Sequence, residues 1–166
     1  MTSFCTLLDD ETFRLRNATV PACLVDGLSA ASEPDLDGLL SLDLLVSDGH
    51  IEMITPAGTN AGSEPSVDLD ASMVWPCFVD LHTHIDKGHI WPRRRNPDGT
   101  RAGALSSTGD DRAANWTVED VRTRMNFSLE SAYAHGTAAI RTHLDSTPPQ
   151  HKISWPVFSE LRETWA

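Results

Sequence analysis

The stretch "FVDLHTHIDK" at residues 78–87 sets His82 and His84 two positions apart, with Asp80 and Asp86 flanking them at the same spacing. On an extended strand side chains alternate faces, so all four would share one face. Neutral imidazoles on one face can reach a single divalent ion, and they suit zinc, iron or related metals. A catalytic metal normally takes a third protein ligand and keeps one position open for water. The pair is therefore part of a site at most. By itself it fits equally well two hydrogen-bonded histidines near a strand end.

What would position such a pair is a short strand. "CFVDLHTH" is apolar and unbroken enough for a buried parallel strand, with both histidines at its C-terminal end, where sites form in parallel α/β folds. Residues 88–116 follow, punctuated by Gly and Pro, and predict a long loop of the kind that covers functional sites. Thr117 then reads as an N-cap with Asp120 three residues on, and Val121, Met125, Leu129 and Ala132 recur at helical spacing up to Gly136. "TAAIRTHLD" predicts a second strand on which Arg141, His143 and Asp145 share a face. "SWPVFSELRETWA" predicts a second helix with Pro156 in its first turn and Val157, Leu161 and Trp165 on one side. Strand, loop, helix, strand, helix is βα repetition and implies a parallel sheet.

The first 75 residues have a different character. "FRLRNATVPACLV" alternates, with Pro21 suggesting an edge or a bulge. "LDLLVSDGHIEMI" reads as a hairpin turning at Asp48-Gly49, and "VDLDASMVW" alternates again. Residues 26–41 and 56–66 read as loops. A small antiparallel β unit over 1–75, followed by βα units over 76–166, is the expected division.

Charge divides at the same place. The chain of 166 residues has a formal net charge of −11, and all of it falls in residues 1–75, where Arg14 and Arg16 are the only basic side chains. Phosphate would be repelled there, which argues against a nucleic-acid partner. The one basic run, Arg93–Arg95, reads as a solvated loop face. Cys5, Cys23 and Cys77 form no CxxC pair and fit reduced thiols in a cytoplasmic setting. The start "MTSFCTLLDDETF" lacks the features of a signal peptide, and no apolar run approaches the roughly 20 residues of a membrane span. The three Asn-Xaa-Ser/Thr matches, at Asn17, Asn115 and Asn126, read as accidental.

Two longer strings carry a resemblance. "VDLDASMVWPCFVDLHTHIDKG" resembles the start of the catalytic barrel of the amidohydrolase superfamily. "AYAHGTAAIRTHLDS" narrows it to the cytosine deaminase-like branch, in which a helix ending in His-Gly precedes a strand reading Arg-Thr-His-aliphatic-Asp. The match runs over nearly the whole chain and is strongest from 67 to 165. Cys77 departs from it, standing where that superfamily usually has glycine.

The resemblance implies an α/β fold: the N-terminal portion of a metal-dependent (β/α)8 TIM-type barrel, preceded by a small antiparallel β-sandwich unit. It implies His82 and His84 as the first two ligands of one divalent metal, iron or zinc, which would activate water to displace ammonia from cytosine or a similar amino-substituted heterocycle. "NPDGTRAGAL" is similar to a substrate-covering loop, with Leu105 placed like a leucine that contacts the base. Leu105 fits ordinary loop packing as well. Asp86, Lys87, Arg141, His143 and Asp145 would support the metal ligands, or would form a buried cluster that only holds the barrel together. A triazine-type amidohydrolase releasing an alkylamine is a second implied activity.

Such a barrel needs on the order of 200 residues or more, and the family's remaining metal ligands and its proton-shuttle Glu would come from later strands. The chain is therefore expected to be a truncated part of a longer enzyme, inactive or a non-catalytic remnant by itself. The longer enzyme is expected to act on a small molecule without nucleic acid or membrane, and to form a homo-oligomer if it associates.

Overall fold

A computed structural model describes residues 8–26, 33–59 and 62–165, which form two compact units, Met1–Pro76 and Cys77–Ala166. Cys5 lies outside the described residues.

The first unit is one four-stranded sheet, ordered β3-β2-β1-β4. Its strands are β1 (Thr12–Pro21), β2 (Leu39–Ser47), β3 (His50–Pro56) and β4 (Ser66–Asp68). The first three pair antiparallel, whereas β4 runs parallel to β1. The described strands thus make a single mixed sheet where an all-antiparallel one was expected. The hairpin turns where anticipated: Asp48 and Gly49 both have positive φ, 49° and 74°, as a two-residue turn of that twist requires. Pro21 ends β1, a strand with neighbours on both sides, so its missing N–H falls at the strand terminus and not along an edge. The bulge lies between Leu15 and Ala18. There Asn17 takes φ 54° and donates its N–H to Oδ1 of the buried Asp43 at 3.0 Å. The other oxygen of Asp43 accepts the Gly58 N–H at 2.9 Å. Leu40, Leu42 and Leu44 alternate inward on β2 and meet Ala18, Val20 and Leu69 in the core.

The second unit runs β5 (Phe78–Thr83), α1 (Arg101–Asn115), α2 (Val118–Ala134), β6 (Thr137–Thr142) and α3 (His151–Thr164), with β5 and β6 parallel. Ile85, Trp116, Val121, Met125, Val157 and Leu161 form its core. α2 starts as the sequence implies, with Thr117 Oγ1 accepting the Asp120 N–H at 3.2 Å. It stops at Gly136 with φ 82°.

Four expectations are corrected. The stretch read as a long loop contains the fifteen-residue α1. Its inward face is Gly103, Ser107 and Asp111, a four-residue spacing of small and polar side chains that no apolar pattern announces. Thr100 caps it by accepting the Gly103 N–H at 2.9 Å. A Cβ at Gly103 would meet the Asp98 and Asn96 side chains folded over the cap, which would have to swing aside. The second helix begins a turn early, at His151, so Pro156 lies inside it. β6 ends at Thr142, leaving His143 and Asp145 beyond the strand. Finally, β5 is parallel but not buried: Phe78, Val79 and Leu81 are 57%, 58% and 71% exposed. Among the described residues β5 has a single strand neighbour, so most of its apolar surface meets no packing layer.

Candidate metal centre

His82 is the penultimate residue of β5 and His84 follows the strand's last residue, Thr83. The parallel register sets Thr83 beside Thr142, so the next residue of the second segment, His143, arrives next to the pair. Its N–H donates to the Thr83 carbonyl at 2.8 Å. The three imidazoles cluster: ring centroids are 4.5 Å apart for His82 and His143, 5.5 Å for His84 and His143, and 5.6 Å for His82 and His84. Asp80 Oδ1 accepts the His82 N–H at 3.0 Å.

His82 is exposed and His84 half-buried. Burial, then the nearby Lys87 charge, lowers the His84 pKa below its ordinary value, favouring neutral imidazole, the form that binds metal. A cavity of about 380 Å³ opens against it, lined also by Asp80, His89, Ser128 and His135. A larger apolar cavity of about 720 Å³ along β6, α2 and α3 contains none of the three clustered histidines.

The turn after β5 is held from several sides. Ile85 N–H donates to Thr142 Oγ1 at 3.2 Å. Asp86 is fully buried, so it lies beneath the turn and does not share an exposed strand face with the histidines. Its Oδ2 accepts the Asp145 N–H at 2.7 Å. Burial raises its pKa against that bond. Lys87 Nζ donates to Asp145 Oδ1 at 2.7 Å, and Arg112 of α1 donates to Asp145 Oδ2 at 2.8 Å. The buried Arg124 of α2 donates to the carbonyls of Asp86 and Gly88.

Sequence reasoning missed a second polar hub. Asp111 accepts from Arg93 Nε at 2.8 Å and Nη2 at 2.9 Å, from Trp116 Nε1 at 2.7 Å and from Asn115 Nδ2 at 2.8 Å. Arg93 also grips Asp120, and Arg94 pairs with Asp110, so two members of the supposed solvated run are ion-paired. The available signal was Asp110-Asp111 facing Arg93-Arg94 across the 88–116 stretch. Leu105 stands on α1, 62% exposed, and Arg141 is an exposed side chain of β6.

Among the described residues, no group of three or more His, Cys, Asp and Glu is arranged to hold a metal ion. What fits a metal is narrower. His84 Nδ1 is buried without a hydrogen-bond partner beside a second imidazole, as an unused donor of an incomplete ligand set would be.

No protein-family model matches the chain. Over 153 residues it is 56% identical to a pterin deaminase of Rhizobium rhizogenes, covering 92% of this chain and 34% of that protein. Its fold is similar to 5-methylcytosine deaminase from Klebsiella pneumoniae liganded with 5-fluorocytosine, at TM-score 0.64 and 22% identity over 91% of this chain and 33% of that one. N-isopropylammelide isopropylaminohydrolase from Burkholderia multivorans is similar at TM-score 0.61 and 22% identity, over 93% and 35%. The fold of this chain is that of a part of these two solved structures. It spans about a third of the length of these relatives, whose names are those of hydrolases acting on carbon–nitrogen bonds. The structural neighbours are TIM-barrel proteins, of which this chain's fold covers about a third. None of the described helices is long and apolar enough to cross a membrane.

Proposed function

We propose that this chain supplies part of the metal centre of a hydrolytic deaminase acting on an amino-substituted heterocycle. A pterin is the first candidate substrate, and cytosine and N-alkylated aminotriazines follow. The observation that carries the reading is the buried, unpartnered Nδ1 of His84 within a cluster of three imidazoles at the end of a parallel strand. The preference for a pterin rests on the 56% identity to a pterin deaminase, against 22% to the cytosine and ammelide enzymes.

His82 and His84 would hold one divalent ion, iron or zinc. Such an ion supplies Lewis acidity, lowering the pKa of water so that it attacks near neutral pH. The overall reaction adds water to the amino-bearing ring carbon and releases ammonia, leaving a ring carbonyl. Asp86, Lys87, His143 and Asp145 fix the turn that carries His84. Leu105, exposed on α1, offers an apolar surface to a planar ring, and Arg141 belongs to the polar surround on β6. A proton-shuttling carboxylate and further ligands would complete such a site. Exposed free thiols at Cys23 and Cys77 agree with a reducing cytoplasmic setting.

The test is ammonia release by the protein carrying these residues, purified with iron or with zinc, from a pterin, cytosine and N-isopropylammelide. The expected order puts the pterin first. Alkylamine release from the triazine with no ammonia from the others would move the assignment to the second activity. A metal content unchanged by His82→Ala or His84→Ala would refute the ligand assignment.

A further inference from the structure

We propose that Asp145 is a positioning residue that joins α1 to the turn bearing His84. The inference rests on the metal-centre reading for its second half only. Three segments distant in sequence meet at this residue. Its Oδ1 takes the Lys87 ammonium at 2.7 Å, its Oδ2 takes the Arg112 guanidinium at 2.8 Å, and its N–H is bound by the fully buried Asp86 at 2.7 Å. The Asp145 side chain is 20% exposed, with Lys87 at 28% and Arg112 at 29%, so these pairs are partly withdrawn from water.

Arg112 is adjacent in α1 to Asp111, which makes a second connection to the same turn. Asp111 holds Arg93, Arg93 holds Asp120, Asp120 accepts from Arg124 at 2.9 Å, and Arg124 donates to the Asp86 and Gly88 carbonyls. Two chains of alternating charge therefore run from neighbouring residues of α1 to residues 86–88. The first passes through Asp145 alone. That carboxylate also neutralises Lys87, three residues from His84, where an unbalanced ammonium would oppose a bound cation. An α-helix that the sequence presents as a loop is thereby locked to the strand end carrying the imidazoles.

The test compares wild type, Asp145→Asn and Arg112→Gln by amide hydrogen exchange and by Co²⁺ titration of the protein carrying these residues. Asp145→Asn is expected to speed exchange in residues 101–115 about tenfold and to weaken Co²⁺ binding by about tenfold. Arg112→Gln, which cuts the α1 arm together with the Arg112 bond to Thr147 and its stacking on Trp116, should speed the same exchange while holding Co²⁺ affinity within roughly twofold of wild type. Unchanged exchange in 101–115 in either variant overturns the junction. Equal loss of Co²⁺ affinity in both variants, or none in Asp145→Asn, overturns the positioning role. A wild-type protein carrying these residues that binds no Co²⁺ would sink the metal-centre reading instead. Faster exchange in both 84–88 and 101–115 of Asp145→Asn would then still uphold the junction, and unchanged exchange would overturn it.

Discussion

Asp111→Ala should be among the most damaging single substitutions in the second unit. The carboxylate is 2% exposed and accepts four hydrogen bonds from three side chains. Its removal leaves Trp116 Nε1–H without an acceptor on a residue only 4% exposed. A buried donor left unpaired costs about 1–3 kcal/mol. Arg93 loses one of its two carboxylates but keeps Asp120 and is 37% exposed, so this part adds only about 0.5–1 kcal/mol. Asn115 is exposed and can turn to water. The total comes to about 1.5–4 kcal/mol. Urea unfolding followed by tryptophan emission is a suitable assay, because Trp91, Trp116, Trp155 and Trp165 all lie in this unit. Trp116→Phe should cost about 0.5–1.5 kcal/mol, since Asp111 keeps its other donors. The double variant should fall short of additivity by about 1 kcal/mol. A loss below about 0.5 kcal/mol for Asp111→Ala, or full additivity with Trp116→Phe, would refute the account of Asp111 as the anchor of α1.

The same hub gives an acid dependence. Burial pushes the Asp111 and Asp120 carboxyls up, but bonds from Arg93, joined by Trp116 and Asn115 for Asp111 and by Arg124 for Asp120, outweigh it and hold both below their ordinary value of 3.8. Groups depressed in the folded state stabilise it above the ordinary value and lose that contribution as pH falls through the folded one. The urea midpoint should hold above about pH 5 and drop below about pH 4, and the drop should shrink in Asp111→Asn. In the first unit, Gly49→Ala should cost about 1–2 kcal/mol because φ is 74°, while Asp48→Gly should be near neutral; hairpin stability by thermal unfolding separates them. Asp43→Ala removes the acceptor of the Asn17 and Gly58 N–H groups, both on exposed residues, and should cost about 1–3 kcal/mol, and Asp43→Asn, which keeps one acceptor oxygen, about half of that.

Sequence alone determined what local pattern and chemical type can carry. The His82–His84 pair, the parallel relation of β5 and β6, the Asp48-Gly49 hairpin and the Thr117-capped helix all follow from period, cap and turn preferences acting within a few residues. The resemblance to the amidohydrolase superfamily was legible because Arg-Thr-His-Leu-Asp after His-Gly is a long and specific string. Tertiary structure decided what depends on partners far apart in the chain. His143 joins the imidazole pair only because the register of two parallel strands puts residue 143 beside residue 84. α1 was invisible to hydrophobic periodicity because its inward face is Gly103, Ser107 and Asp111, held by ion pairs and hydrogen bonds and not by apolar burial. Asp145 looked like one more polar residue on a strand, and its place beyond the strand end, between Lys87 and Arg112, comes from three-dimensional closure. Hydrophobic pattern reports which face is buried, but a polar junction between distant segments leaves no period in the sequence.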